Sequence, residues 1–215
     1  MSRLFTYVVR SDTGLAPNPF WGWCTLAVCT PNHQGSRVNP GDWVAGFLDK
    51  ARGHRFLYAM EVEERIHRDA YFHDRRFARK KPRIDGTPRQ RCGDNFYSLD
   101  ASSAWQQHDT IYHKDARTSQ QDISHPWVFA GRRFWYLGRD AQPIPAAFAA
   151  LAGGRGARVT HPADVVEGFK AWVVANFATG IHALPRDIES AGVCGPSRPR
   201  QRDVCPPAPP CSPCR

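Results

Sequence analysis

The run RCGDNFY, residues 91–97, sets a thiol (Cys92), a carboxylate (Asp94), an amide (Asn95) and two aromatic rings (Phe96, Tyr97) side by side, directly after a cationic stretch. Two chemistries suit such a set. As a binding element, Asp94 and Asn95 read the donor and acceptor edges of a nucleobase, the amide offering one of each, while Phe96 or Tyr97 stacks on its face. As a catalytic element, Asp94 serves as a general base, or Cys92 as a nucleophile whose thiolate is favoured by adjacent Arg91. The plainer reading is a β-turn in which Gly93 permits a tight bend and Asp94 and Asn95 hydrogen-bond their own backbone. No second acid or base stands out beside the run, so binding ranks above catalysis.

A second candidate is the loop APNPFWGW, residues 16–23, which carries Phe20, Trp21 and Trp23 where loop chemistry is otherwise expected. Rings in a loop either plug a core or line a cage. With Asp12 and Asn18 nearby, a pocket that holds a flat base between Trp21 and Trp23 is the functional expectation.

Charge distribution points to the partner class. The formal charge is +9, and ten of the basic residues fall within residues 65–91 against only Asp69, Asp74 and Asp85. The last 25 residues add four arginines against Asp203, which leaves the rest of the chain close to neutral. Basicity this local is the footprint of a polyanion binder. Arg75, Arg76, Arg79, Lys80, Lys81 and Arg83 are the expected phosphate contacts, with Tyr71, Phe72 and Phe77 interleaved to stack on bases. A solvated basic loop is the alternative.

Other signatures are missing. There is no Walker loop, no dinucleotide fingerprint and no pair of CxxC motifs. His67, His73 and His113 could each act as a general base, but the nine histidines form no HxH or HxxxH set. Cys211 and Cys214 have the spacing of half a zinc site, with Cys194 and Cys205 upstream, yet the surrounding prolines oppose a compact knuckle. No metal and no cofactor is expected. Cys24, Cys29 and Cys92 read as reduced thiols.

The elements that must position these residues follow from periodicity. The chain has 215 residues, with 41% hydrophobic and 12% aromatic, enough for one domain with a sizeable core. Strands are expected at residues 4–10, 43–47, 56–63, 127–130 and 133–137, and residues 24–30 suit either a strand or a buried helical turn. In the third of these, Phe56, Tyr58, Met60 and Val62 alternate with Ala59, Glu61 and Glu63, the pattern of a half-buried antiparallel strand. Residues 98–125 are polar and hard to place. A short Ala-rich helix is stopped by Gly153 and Gly154. A longer one puts Val165, Val166, Phe169, Trp172, Val173 and Phe177 on one face, with Pro162 in its first turn and Gly180 at its end. Residues 191–215, rich in Pro, Arg and Cys, are expected to be a disordered tail. Strands first and helices later argue for an α+β class: one domain over residues 1–190, a small twisted antiparallel sheet or partial β-barrel with flanking helices. No apolar run reaches the ~20 residues of a membrane span and no signal peptide is visible, so a cytoplasmic protein is the expectation.

Together, LFTYVVRSDTGLAPNPFWGWCTLAVCTP, GDWVAGF, YAMEVEE, YFHDRRFARKKP, RCGDNFY and RFWYLG resemble the second family of nucleotide-modification-associated domains of bacteria and phages, over about residues 3–145. That resemblance implies a place in pathways that make or handle modified DNA bases. A more distant similarity is to EVE and related PUA-like domains, on Gly41 and Asp42, Glu61 and Val62, and Tyr71 to Lys81. It implies a small β-barrel whose aromatic pocket accepts a flipped-out modified base. Neither resemblance supplies a role for the helical region after residue 145 or for the tail.

The leading expectation is therefore a binding module for modified bases in nucleic acid, DNA first, or in nucleotides. The alternative is an enzyme acting on a nucleotide or base through Asp94 or Cys92. A third is a protein-interaction component whose Pro-rich tail docks a partner groove.

Overall fold

The computed structural model describes residues 2–29, 37–154 and 156–190, so the expected tail and its cysteines lie outside the described residues. Strands form at β1 (Leu4–Val9), β2 (Cys24–Leu26), β3 (Trp43–Leu48), β4 (Phe56–Glu61), β5 (Glu64–His67), β6 (Tyr97–Leu99), β7 (Trp105–Gln107), β8 (Trp127–Gly131), β9 (Phe134–Tyr136) and β10 (Gly180–Ile181). The described α-helices are α1 (Arg68–His73), α2 (Pro88–Arg91), α3 (Ala116–Ile123) and α4 (Ala163–Asn176).

These strands make a five-stranded sheet in the order β1-β3-β4-β9-β10, a three-stranded sheet β2-β8-β5 and a two-stranded sheet β6-β7. The α+β class holds, with several small sheets and, among the described residues, no closed barrel. The main sheet is mixed rather than antiparallel: β1 pairs with β3 in parallel, and β10 with β9 likewise. The connection from β1 to β3 spans residues 10–42, far more than the dozen or so that a parallel crossover requires.

The main sheet is covered on both faces. On one, α4 packs Val166, Phe169 and Val173 against Trp43, Phe47, Phe56, Ala59 and Trp135. On the other, Phe5, Leu57, Tyr58, Met60 and Tyr136 meet Cys24, Leu26 and Phe129 of the second sheet. This double coverage is why β4 is buried from Phe56 to Met60 instead of presenting one wet face. Phe56 also departs from the expected alternation. Between the pairs Gly46–Tyr58 and Phe47–Phe56 the register slips by one, which turns Phe56 to the α4 side while Tyr58 and Met60 face the second sheet.

The Ala-rich segment forms a 3-10 helix over Ala146–Leu151 followed by Gly153 and Gly154, both left-handed. Helix α4 ends at Asn176, earlier than Gly180, which belongs to β10. Residues 98–125, opaque as sequence, hold β7 and α3. Among the described residues no helix is long and apolar enough to cross a membrane.

Candidate functional site

Both sequence candidates converge on the core beneath the second sheet, where Leu15, Phe20, Tyr71, Phe77, Cys92, Phe96, Tyr97 and Tyr112 are buried together. Most of the polar members are inside it. Asp94 is 1% exposed and accepts from Thr25 Oγ1 at 2.6 Å and from Tyr71 Oη at 2.7 Å. Burial pushes its carboxyl up, with the Lys80 charge acting against that. Asn95 donates through Nδ2 to the carbonyls of Tyr71 at 3.0 Å and Phe77 at 3.3 Å. Its Oδ1 is enclosed and meets no donor among the described residues. Asn18 donates to Cys92 O at 2.8 Å and accepts from Lys80.

Lys80 is the pivot of this interior. Its ammonium, 1% exposed, donates to Asn18 O at 3.0 Å, Asn18 Oδ1 at 2.8 Å and Trp23 O at 2.9 Å, and so pins the aromatic loop to the cationic segment. Burial lowers it to about 8, with Asp94 acting the other way. Gly93 is needed for packing rather than for a left-handed bend: a Cβ there would stand 2.4 Å from Lys80 O and 2.5 Å from Pro82 N.

Cys92 and Asp12, also buried, look inward as well. Cys92 donates its thiol to Thr13 O at 3.0 Å and touches Tyr112 Oη at 3.3 Å, and burial pushes it up to about 11. Asp12 accepts from Tyr136 Oη and from the Arg186 amide at 3.0 Å, a partner set separate from that of Asp94, and burial raises it too.

Above this interior the rings and cations form a surface. Trp21 and Trp23 are half-buried. The Arg79 guanidinium lies 4.1 Å from the Trp21 centroid, and Trp23 is flanked by Arg76 at 5.5 Å and Arg132 at 5.2 Å. Lys81 sits 3.7 Å from the Phe72 ring. Arg76 is also held by Glu64 and Asp74, both at 2.6 Å, which raises its affinity for its proton further. Arg75, Arg79 and Arg83 are exposed, and among the described residues neither they nor Lys81 form a salt bridge.

A third constellation adjoins the first through Tyr97. Tyr97 Oη donates to Asp122 Oδ2 at 3.1 Å. The same carboxylate takes His113 Nδ1 on Oδ2 and the Cys29 amide on Oδ1 at 2.9 Å, and Cys29 Sγ lies 2.9 Å from His113 Nε2. Sequence reasoning flagged His113 among several histidines and passed over Asp122. Nothing local could reveal the set, because its members are brought from the bend after β2, from a loop and from α3.

The chain matches the family described as nucleotide modification associated domain 2 over residues 1–192, and it belongs to that family. The match therefore takes in the helical region after residue 145, which the motif resemblance alone left out. No curated protein and no solved structure matches the chain, and the likeness to EVE and PUA-like domains stays an expectation from the motifs.

Proposed function

We propose that this domain binds nucleic acid, DNA first, or nucleotides within base-modification systems, through the cationic–indole surface above the Lys80 pivot. One observation carries the reading: Arg75, Arg79, Lys81 and Arg83 have no carboxylate partner among the described residues, beside two indoles whose rings already lie under guanidinium groups. A guanidinium stacked on an indole keeps its edge N–H groups pointed outward, in the plane where a phosphate is bound bidentately. Arg75, Arg79, Lys81 and Arg83 grip phosphates, and an unstacked base takes a place on Trp21 or Trp23 by displacing a guanidinium from the ring. Asn18, Lys80, Asp94, Asn95, Cys92 and Tyr97 act from below, holding the loop and the cationic segment in register. Asp12 fastens the loop's N-terminal end.

The test is binding of labelled DNA and RNA oligonucleotides and of free nucleotides across a salt series. Affinity should fall steeply with salt, the logarithmic slope shrinking by about 1 for each phosphate contact removed in Arg79→Ala or Arg83→Ala. An affinity independent of salt, or unaffected by both substitutions, overturns the reading.

A further inference from the structure

Cys29, His113 and Asp122 meet the geometric demands of nucleophilic catalysis. The thiol is exposed, whereas His113 and Asp122 are 4% and 1% exposed. Asp122 receives three donors, namely the Cys29 amide, Tyr97 Oη and His113 Nδ1, so it acts as an acceptor throughout. An imidazole that donates from Nδ1 turns the lone pair of Nε2 outward, and here that nitrogen faces Sγ at 2.9 Å. A nucleophile and base within hydrogen-bond reach, with the base oriented by a third group, is the general signature of an activated thiol.

The surroundings hold this set in place. The His113 carbonyl accepts from Gln107 Nε2 at 3.0 Å and from Ser119 Oγ at 2.9 Å. Buried Arg68 donates to Ala27 O and Asp122 O, both at 2.6 Å, tying the end of β2 to α3. Cys29 and His113 both occupy the left-handed region, at φ 60° and 50°, a conformation that is unfavourable for a non-glycine residue and that gathers at functional sites. Each nitrogen of the ring serves a different partner, which is a proton relay and not a metal ligand set; among the described residues no His, Cys, Asp and Glu group is placed to hold a metal.

We propose that Cys29, His113 and Asp122 form a catalytic thiol site that takes an acyl group from an amide or ester. His113 Nε2 accepts the Sγ proton as sulfur attacks the carbonyl carbon, forming the C–S bond and moving the carbonyl π pair onto oxygen. That pair returns as the C–N or C–O bond breaks, and His113 passes the proton to the departing amine or alcohol. Water or an amine acceptor then attacks the Cys29 thioester, with His113 taking and returning its proton, and the thiol is regenerated. The Cys29 amide is turned onto Asp122, so it is not the oxyanion donor. Departure of the amine or alcohol needs a proton, and the Asp122 carboxylate keeps the imidazole turned so that Nε2 can deliver it.

Two measurements on the whole chain decide it. The first is the pH dependence of iodoacetamide alkylation, with the modified cysteine located by mass spectrometry. Cys29 should react first and remain fast well below the ~8.5 of a free thiol. His113→Gln should return it to free-thiol behaviour, slowing it on the order of tenfold at neutral pH, where an ordinary thiol is only a few per cent ionised. A wild-type profile like that of a free cysteine overturns the proposal without recourse to any variant. The second is incubation with p-nitrophenyl acetate: a burst of nitrophenolate with an acetyl group on Cys29, absent in Cys29→Ser, is expected. Rapid alkylation with no acetyl adduct overturns the acyl assignment.

Discussion

At the scale of single residues, the cation most easily taken for a phosphate ligand is the one least able to be one. Lys80 sits among three carbonyl-type acceptors inside the core. Replacing it by Met should remove about 3 kcal/mol of stability, because the acceptors and the nearby Asp94 lose their cation. The denaturation midpoint reports this, and the salt slope of nucleic-acid binding should stay as in the wild type. A stable Lys80→Met variant with a slope reduced by about 1 shows instead that Lys80 reaches a phosphate. Gly93→Ala should cost about 1–3 kcal/mol, since its methyl must displace the backbone at Lys80 and Pro82. Residue types thus told which groups belong together, but not which way they face. The RCGDNFY run reads equally well as a pocket or as an interior network, since burial depends on Thr25, Tyr71 and Asn18, which are supplied from elsewhere in the chain.

At the scale of elements, the parallel pair β1–β3 depends on a charged clasp at its start. Asp42 accepts from the Arg3 amide at 2.9 Å, from the Arg3 guanidinium at 2.6 Å and from the Asn39 amide at 2.9 Å. Burial alone would push Asp42 up, yet these bonds from Arg3 and Asn39 outweigh it and bring the carboxyl below the usual 3.8. The unfolded chain therefore binds the extra proton at higher pH than the folded one. The contribution is complete above about pH 4 and is lost as the pH falls through the folded value. Asp42→Asn should lower stability at neutral pH and flatten the acid limb of the stability–pH curve, as chemical denaturation at a series of pH values would show. A wild-type acid limb retained in the variant assigns that limb to other carboxylates. Strand positions were legible because β-branched and aromatic runs mark them. Pairing direction was not, since it is set by a long crossover whose path leaves no periodic trace. The register slip beside Gly46 was equally silent: a Cβ there would meet the Tyr58 ring at 2.4 Å, a constraint visible only once the strands are paired.

At the scale of the whole molecule, the net charge overstates the cationic surface and the two proposed activities share one foundation. Of the ten basic residues in 65–91, Arg68 and Lys80 are interior and Arg76 is held by two carboxylates, so the polyanion grip rests on the others. Arg68 instead braces the Cys29–His113–Asp122 set, and Tyr97 links that set to the core under the indoles. The grip and the thiol centre should therefore separate under surface changes and fail together under core changes. Charge reversal at Arg79 and Arg83 should weaken binding for all sequences alike and lower the salt slope by about 2, one for each phosphate contact, while Cys29 alkylation keeps its rate and pH profile. Cys29→Ser should leave the slope untouched. Gly93→Ala, which loosens the shared core, should depress both, more so as the temperature approaches the unfolding transition. Measuring binding and alkylation on the same preparations distinguishes this arrangement from a single composite site: if Arg79→Glu alone alters the alkylation profile of a fully folded protein, the cationic face and the thiol belong to one centre.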